Sequence, residues 1–139
     1  MKDYRSFEMF TAIRSLWEFK KKHTGNIGEA YEQARKAEDE AAASLPRAQR
    51  EETERASLHF KRRQVSQFYQ LLGGLYDLKI IPKGVLFTYW TKIDLSIIPD
   101  ILVPVEKSLA GDLWKKPVVA DSVERMLRLY NDAPPDQTA

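Results

Sequence analysis

Apolar residues in this chain recur at intervals of three and four, and nowhere does apolar–polar alternation last long enough to build a sheet. That periodicity confines the fold to helices. Phe7, Phe10, Ile13 and Trp17 trace one stripe along a first amphipathic helix, with Asp3 as its N-cap and Lys20, Lys21 and Lys22 at the end where cations are favoured. Val65, Phe68, Leu72 and Leu75 trace a second stripe, flanked by Tyr69 and Tyr76. The short runs Ile80–Ile81 and Leu86–Tyr89 have strand-like residue types but too little length to pair into a sheet.

Between these stripes, residues 28–57 change character. Tyr31 and Leu45 are the only large apolar residues there, and the rest is mostly Ala, Glu, Gln, Lys and Arg. Such a composition forms helix readily but packs thinly. Ser44, Leu45 and Pro46 divide the segment into two helices, because proline suits the first turn of a new helix. The second of these is expected to run on to about Leu78, through Gly73 and Gly74. Two glycines inside a helix either admit a closely approaching neighbour or mark a kink. A turn at residues 79–82 leads to Val85, Leu86, Tyr89, Trp90 and Ile93. A further helix is expected through Ile97, Ile98, Ile101, Leu102, Val105 and Leu109, with Pro99 and Pro104 in its first turn or bending it. Leu113, Trp114 and Pro117 follow, then a helix capped by Asp121 with Val123, Met126, Leu127 and Tyr130 on its apolar face. At 139 residues the chain has room for one compact domain. The expectation is an all-α bundle of about five or six helices with a long central helix, over residues 1–131, and a flexible tail over residues 132–139.

The run RRQVSQFYQLLGGL from Arg62 to Leu75, the turn IIPKG, the later helix with Phe87 and Trp90, and the earlier LWEFKKKH occur in a recognisable order. Across roughly residues 13–109 the chain resembles the bacterial domain of unknown function 4760. In that family a Trp-containing helix, a charged helical segment, a V-x-x-F-[FY]-E-x-L-G-x-L core and a second Trp-containing helix follow one another. Gln70 stands where the pattern has Glu, and the membrane-spanning segments common ahead of the domain are missing. The resemblance implies a helical fold and a bacterial origin, and it carries no activity with it.

Several chemistries have no residues to perform them. The chain has no cysteine, which removes thiolate metal sites, disulfides and thiol nucleophiles. Its two histidines, His23 and His59, belong to no metal-ligand spacing and are expected at surfaces or helix ends. The acidic runs Glu38–Glu40 and Glu51–Glu52 fall on polar helix faces, and neither a phosphate-binding glycine loop nor a nucleophile elbow is present. The apolar stretches fall far short of the roughly 20 residues that span a bilayer, and no signal peptide is visible at the N-terminus. A soluble, cytoplasmic protein without cofactor, metal or enzymatic activity is expected.

Two binding readings remain. Residues 85–90 hold more large apolar side chains than one helix face can bury, so Phe87, Tyr89 and Trp90 are the expected contacts for a protein partner or a second copy. The alternative is nucleic-acid binding through Lys20, Lys21, Lys22, Lys61, Arg62 and Arg63, although 22 basic against 20 acidic residues give a net charge of only +2.

Overall fold

A computed structural model describes residues 2–23, 25–111 and 116–135. The fold is all-α: 84% of it is helical, and the described residues contain no strand. The helices are α1 (Lys2–Lys22), α2 (Ile27–Ala43), α3 (Arg47–Ala56), α4 (Leu58–Asp77), α5 (Lys83–Tyr89), α6 (Lys92–Leu95), α7 (Val103–Ala110) and α8 (Pro117–Asp132), with a π-helical turn at Ile98–Leu102 before α7. Contacts group the chain into two compact units, Met1–Ser66 and Gln67–Ala139, where the sequence suggests one domain over residues 1–131. The boundary falls within α4.

Several expected boundaries move, each for a local reason. The helix expected from Pro46 to Leu78 is divided at Ser57, whose backbone is extended (φ −70°, ψ 155°). The Ser57 hydroxyl donates to the Glu54 carbonyl at 2.6 Å and accepts from the Phe60 N–H at 3.1 Å, so it closes α3 and opens α4. Thr91 and Asp94 form a reciprocal capping box that starts α6 immediately after α5. Asp3 lies inside α1, and Asp121 lies inside α8, which starts at Pro117 because proline needs no N–H donor in a first turn.

In the first unit α1 buries Ala12 and Leu16, while Phe10 is exposed and Ile13 and Trp17 are half-buried. The predicted stripe was therefore rotated: Ala12, Leu16 and Phe19 follow an equally good helical spacing, and Phe19 sets the edge of its ring against Tyr31 with centroids 6.3 Å apart. Ile27 and Tyr31 are the large side chains that α2 buries, and none of the described side chains of α3 is buried. The expectation of thin packing over residues 28–57 holds there.

The second unit carries most of the buried residues. Ile97, Ile98, Ile101, Leu102, Val103 and Val105 are all buried, and α8 contributes Val123, Met126, Leu129 and Ala133. Pro99 fits the first turn, and Pro104 explains the π-helical widening. Pro104 has no N–H to give and its ring would meet the carbonyl one turn back, so the helix widens and Val103 N–H donates to Ile98 O, five residues earlier. Gly73 is a point of close approach: a Cβ there would lie 2.9 Å from the Arg125 carbonyl oxygen of α8. Leu113 and Trp114, and the tail from residue 136 onward, lie outside the described residues. Within the expected tail, Ala133 is buried and Pro134 and Pro135 are exposed.

Candidate functional site

Two features stand apart from ordinary core packing, one in each unit. In the first unit a cleft of about 300 Å³ is lined by Glu38, Asp39, Ala42 and Ala43 of α2, by Arg50, Thr53 and Glu54 of α3, and by Ser57 and His59. Beside it lies a chain of polar contacts. Arg62 Nε donates to the Tyr31 hydroxyl at 3.2 Å, which leaves the Tyr31 O–H to donate to His59 Nδ1 at 3.0 Å. Arg62 Nη2 also reaches His59 Nδ1, at 3.4 Å. With Nδ1 accepting, the imidazole proton sits on Nε2.

The electrostatics keep this chain neutral at its centre. Burial, reinforced by the guanidinium groups of Arg35, Arg62 and Arg63 and opposed by Asp39, pushes the His59 imidazole down to about 4. Burial also raises the Tyr31 phenol, against the pull of Arg62. At neutral pH His59 is thus a neutral acceptor with its Nδ1 engaged, and Tyr31 keeps its proton. Glu38 completes the arrangement: its Oε2 accepts the Leu58 N–H at 2.9 Å at the start of α4, while Oε1 is buried with no hydrogen-bond partner. The sequence places Glu38 in a solvated acidic run and His59 at a surface or helix end. Long-range pairing with Tyr31 and Leu58 has no sequence signal. His23 remains an exposed residue just after α1, its ring 4.4 Å from that of Phe19. No group of three or more His, Asp or Glu residues among the described residues is placed to hold a metal ion.

The six basic candidates have unlike environments. Lys21, Lys22 and Arg63 are exposed, and Lys20 is half-buried with its ammonium 5.7 Å from the Trp17 ring centroid. Lys61 Nζ donates to Ser15 Oγ at 3.4 Å. Arg62 is 7% exposed and committed to Tyr31, so its guanidinium is not presented to solvent as a phosphate contact requires.

In the second unit the distinguishing feature is apolar and exposed. Phe87 and Trp90 are half-buried by α4: Phe87 packs on Tyr76 with ring centroids 5.6 Å apart, and Trp90 packs on Phe68 at 6.2 Å. Tyr89 is 72% exposed, and Val85, one turn earlier on α5, is 51% exposed. Leu71, Leu78, Ile80 and Ile93 are also more than half exposed. The three expected partner contacts therefore divide between two jobs, since Phe87 and Trp90 hold α5 to α4 and Tyr89 faces outward.

A second cleft in this unit, about 410 Å³, is lined by Tyr76, Asp77, Lys79, Ile81, Pro82, Lys83, Arg128 and Asp132. Its acidic groups are engaged: Tyr76 donates to Asp132 at 2.7 Å, and Arg128 pairs with Asp77 at 2.8 Å. Burial and the Asp132 carboxylate push the Tyr76 phenol up to about 12. No helix among the described residues is long and apolar enough to cross a membrane. Compared with protein-family models, curated proteins and solved structures, the chain finds no match.

Proposed function

We propose that the protein is a cytoplasmic helical interaction module that works through protein contacts made by its second unit. The supporting observation is the distribution of exposed apolar surface. Of the seven large hydrophobic side chains exposed among the described residues, six (Leu71, Leu78, Ile80, Val85, Tyr89 and Ile93) belong to residues 67–139, where the buried core is also richest. A segment with that much core has apolar residues to bury, yet leaves these outside. Their concentration in one unit is what supports association through it, as apolar side chains gathered on one surface do. A non-enzymatic role fits the polar cleft of the first unit as well. A neutral His59 lowered to about 4 is a weak base at neutral pH, and Tyr31, raised, is a weak acid.

A photo-crosslinking amino acid placed at Tyr89 and, separately, at Glu52 in the native cell tests this reading. Adducts are expected from position 89 and not from position 52. Tyr89→Ala is expected to weaken capture by about tenfold or more, because exposed aromatic anchors carry roughly 2 kcal/mol when they become buried in an interface. Equal yields from both positions, or none from either, would remove the basis of the proposal.

A further inference from the structure

Within the interaction surface just proposed, one face of α4 carries a glycine that the fold itself does not use. Leu71, Gly74 and Leu75 of α4, with Leu78 at its C-terminal cap, where the Leu78 N–H still donates to Gly74 O, occupy positions i, i+3, i+4 and i+7 on one side of the helix. They lie about half a turn from the core positions Tyr69, Leu72 and Gly73. Leu71 and Leu78 are 64% and 72% exposed, and Leu75 is half-buried. Gly73 is explained by the α8 backbone that passes over it, but a Cβ at Gly74 would meet nothing within 4 Å. The helix nonetheless runs unbroken through both, although an interior glycine disfavours helix by about fivefold relative to alanine. A glycine in the middle of an exposed leucine stripe is a notch without an occupant.

We infer that the α4 face formed by Leu71, Gly74, Leu75 and Leu78 pairs antiparallel with the same face of a second copy of this chain. The spacing is self-complementary, as a two-fold interface requires. Around an axis between Gly74 and Leu75, Leu71 of one copy meets Leu78 of the other, and Leu75 enters the notch at Gly74. Charge agrees: Gln67, Leu71, Gly74, Leu75 and Leu78 include no ionised group, and the exposed cation next to them, Lys79, falls opposite the neutral Gln70 when Leu71 meets Leu78, so two identical faces meet without repulsion. Area limits the size class of the contact. With Ile80, which is 61% exposed beside the end of the helix, the stripe offers on the order of 400 Å² per copy, about half of the ~800 Å² per partner in a standard interface. The dimer is therefore weak and reversible, below the size of a standard stable interface.

The absence of cysteine makes the geometry directly testable in the full chain. Under mild oxidation an equimolar mixture of Leu71→Cys and Leu78→Cys chains is expected to form the mixed disulfide dimer, and either variant alone is expected to form little. In sedimentation equilibrium the unmodified chain should dimerise with rising concentration. Gly74→Ala should weaken that association at least tenfold while raising the melting temperature of the monomer. A purely structural role for Gly74 gives no change in association. A chain that stays monomeric at high concentration, or single-cysteine variants that crosslink alone as well as together, overturns the antiparallel dimer. If adducts to another protein still form at Tyr89 in cells, the dimer alone is lost. If they do not form, the interaction reading falls with it.

Discussion

Lys79 has a φ of +59°, a conformation that costs an L-residue with a side chain about 1–2 kcal/mol. It persists because it ends α4 in a Schellman motif, in which Lys79 N–H donates to Tyr76 O and Ile80 N–H donates to Leu75 O, both at 3.0 Å. Glycine adopts this conformation without strain, so Lys79→Gly should stabilise the fold by about 1 kcal/mol, read as a higher urea midpoint. A lower midpoint would mean that the lysine side chain offsets its own strain. Gly73 presents the opposite case. Its Cβ would crowd the Arg125 backbone at 2.9 Å, so Gly73→Ala should destabilise by roughly 1–3 kcal/mol in the same assay. His59 adds a pH dependence whose sign follows from its lowered value. Unfolded, it takes a proton below about 6.5, and folded, it resists until about 4. Stability is therefore fully present above about 6.5 and is lost as the pH falls towards 4. Denaturation midpoints of the parent and His59→Gln should diverge at neutral pH and converge on acidification over that window. Parallel curves would show that the imidazole stays accessible to protons.

At the scale of elements, Glu38 shows how the thin α2 helix is tied to α4. Its carboxylate serves the Leu58 N–H, one of the donors that a helix start leaves unpaired, and the negative charge suits that end of the helix. Glu38→Ala should cost about 1–2 kcal/mol, whereas Asp39→Ala, which removes an exposed pair to Arg35 at 3.9 Å, should cost under about 0.5 kcal/mol. Equal costs for the two would place Glu38 on an ordinary solvated face, as its position in an acidic run suggests. Elements were legible in the sequence where one local signal dominated. Pro46 separated α2 from α3, and the periodicity of α4 and the turn after it stood out. Ser57 and Thr91 do not stand out as helix boundaries: Ser57 is one polar residue in a polar helical run, and the Thr91-x-x-Asp94 spacing of a capping box is masked by the apolar residues that continue on both sides of it. The π-helical turn was visible only as a conflict between Pro104 and an otherwise continuous apolar pattern.

At the scale of the molecule, the all-α class follows from periodicity alone, while the division of the core does not. Counting apolar residues predicts how much is buried, but not that Phe10 and Leu71 stay outside while Ala12 and Ser66 go in. The candidate surfaces divide in the same way. An excess of apolar residues at 85–90 was legible in composition, whereas the Tyr31–His59–Arg62 chain joins positions up to 31 apart and needed the fold to appear. Burial sets unequal local stability along the chain. No described side chain of α3 is buried, but almost every residue from Ile97 to Val105 is buried or half-buried and is covered by α8. Local opening exposes little apolar surface in the first case and a large amount in the second. Hydrogen exchange should therefore release the amides of residues 47–56 first and those between 98 and 105 last, with rates differing by about a hundredfold or more. Limited proteolysis should likewise nick α3 at Arg47 or Arg50 before any site in α8, even though α8 offers Arg125 and Arg128. Exchange in α3 as slow as that around Ile101 would mean that α3 is covered in solution, and would make the first unit a contact surface in its own right.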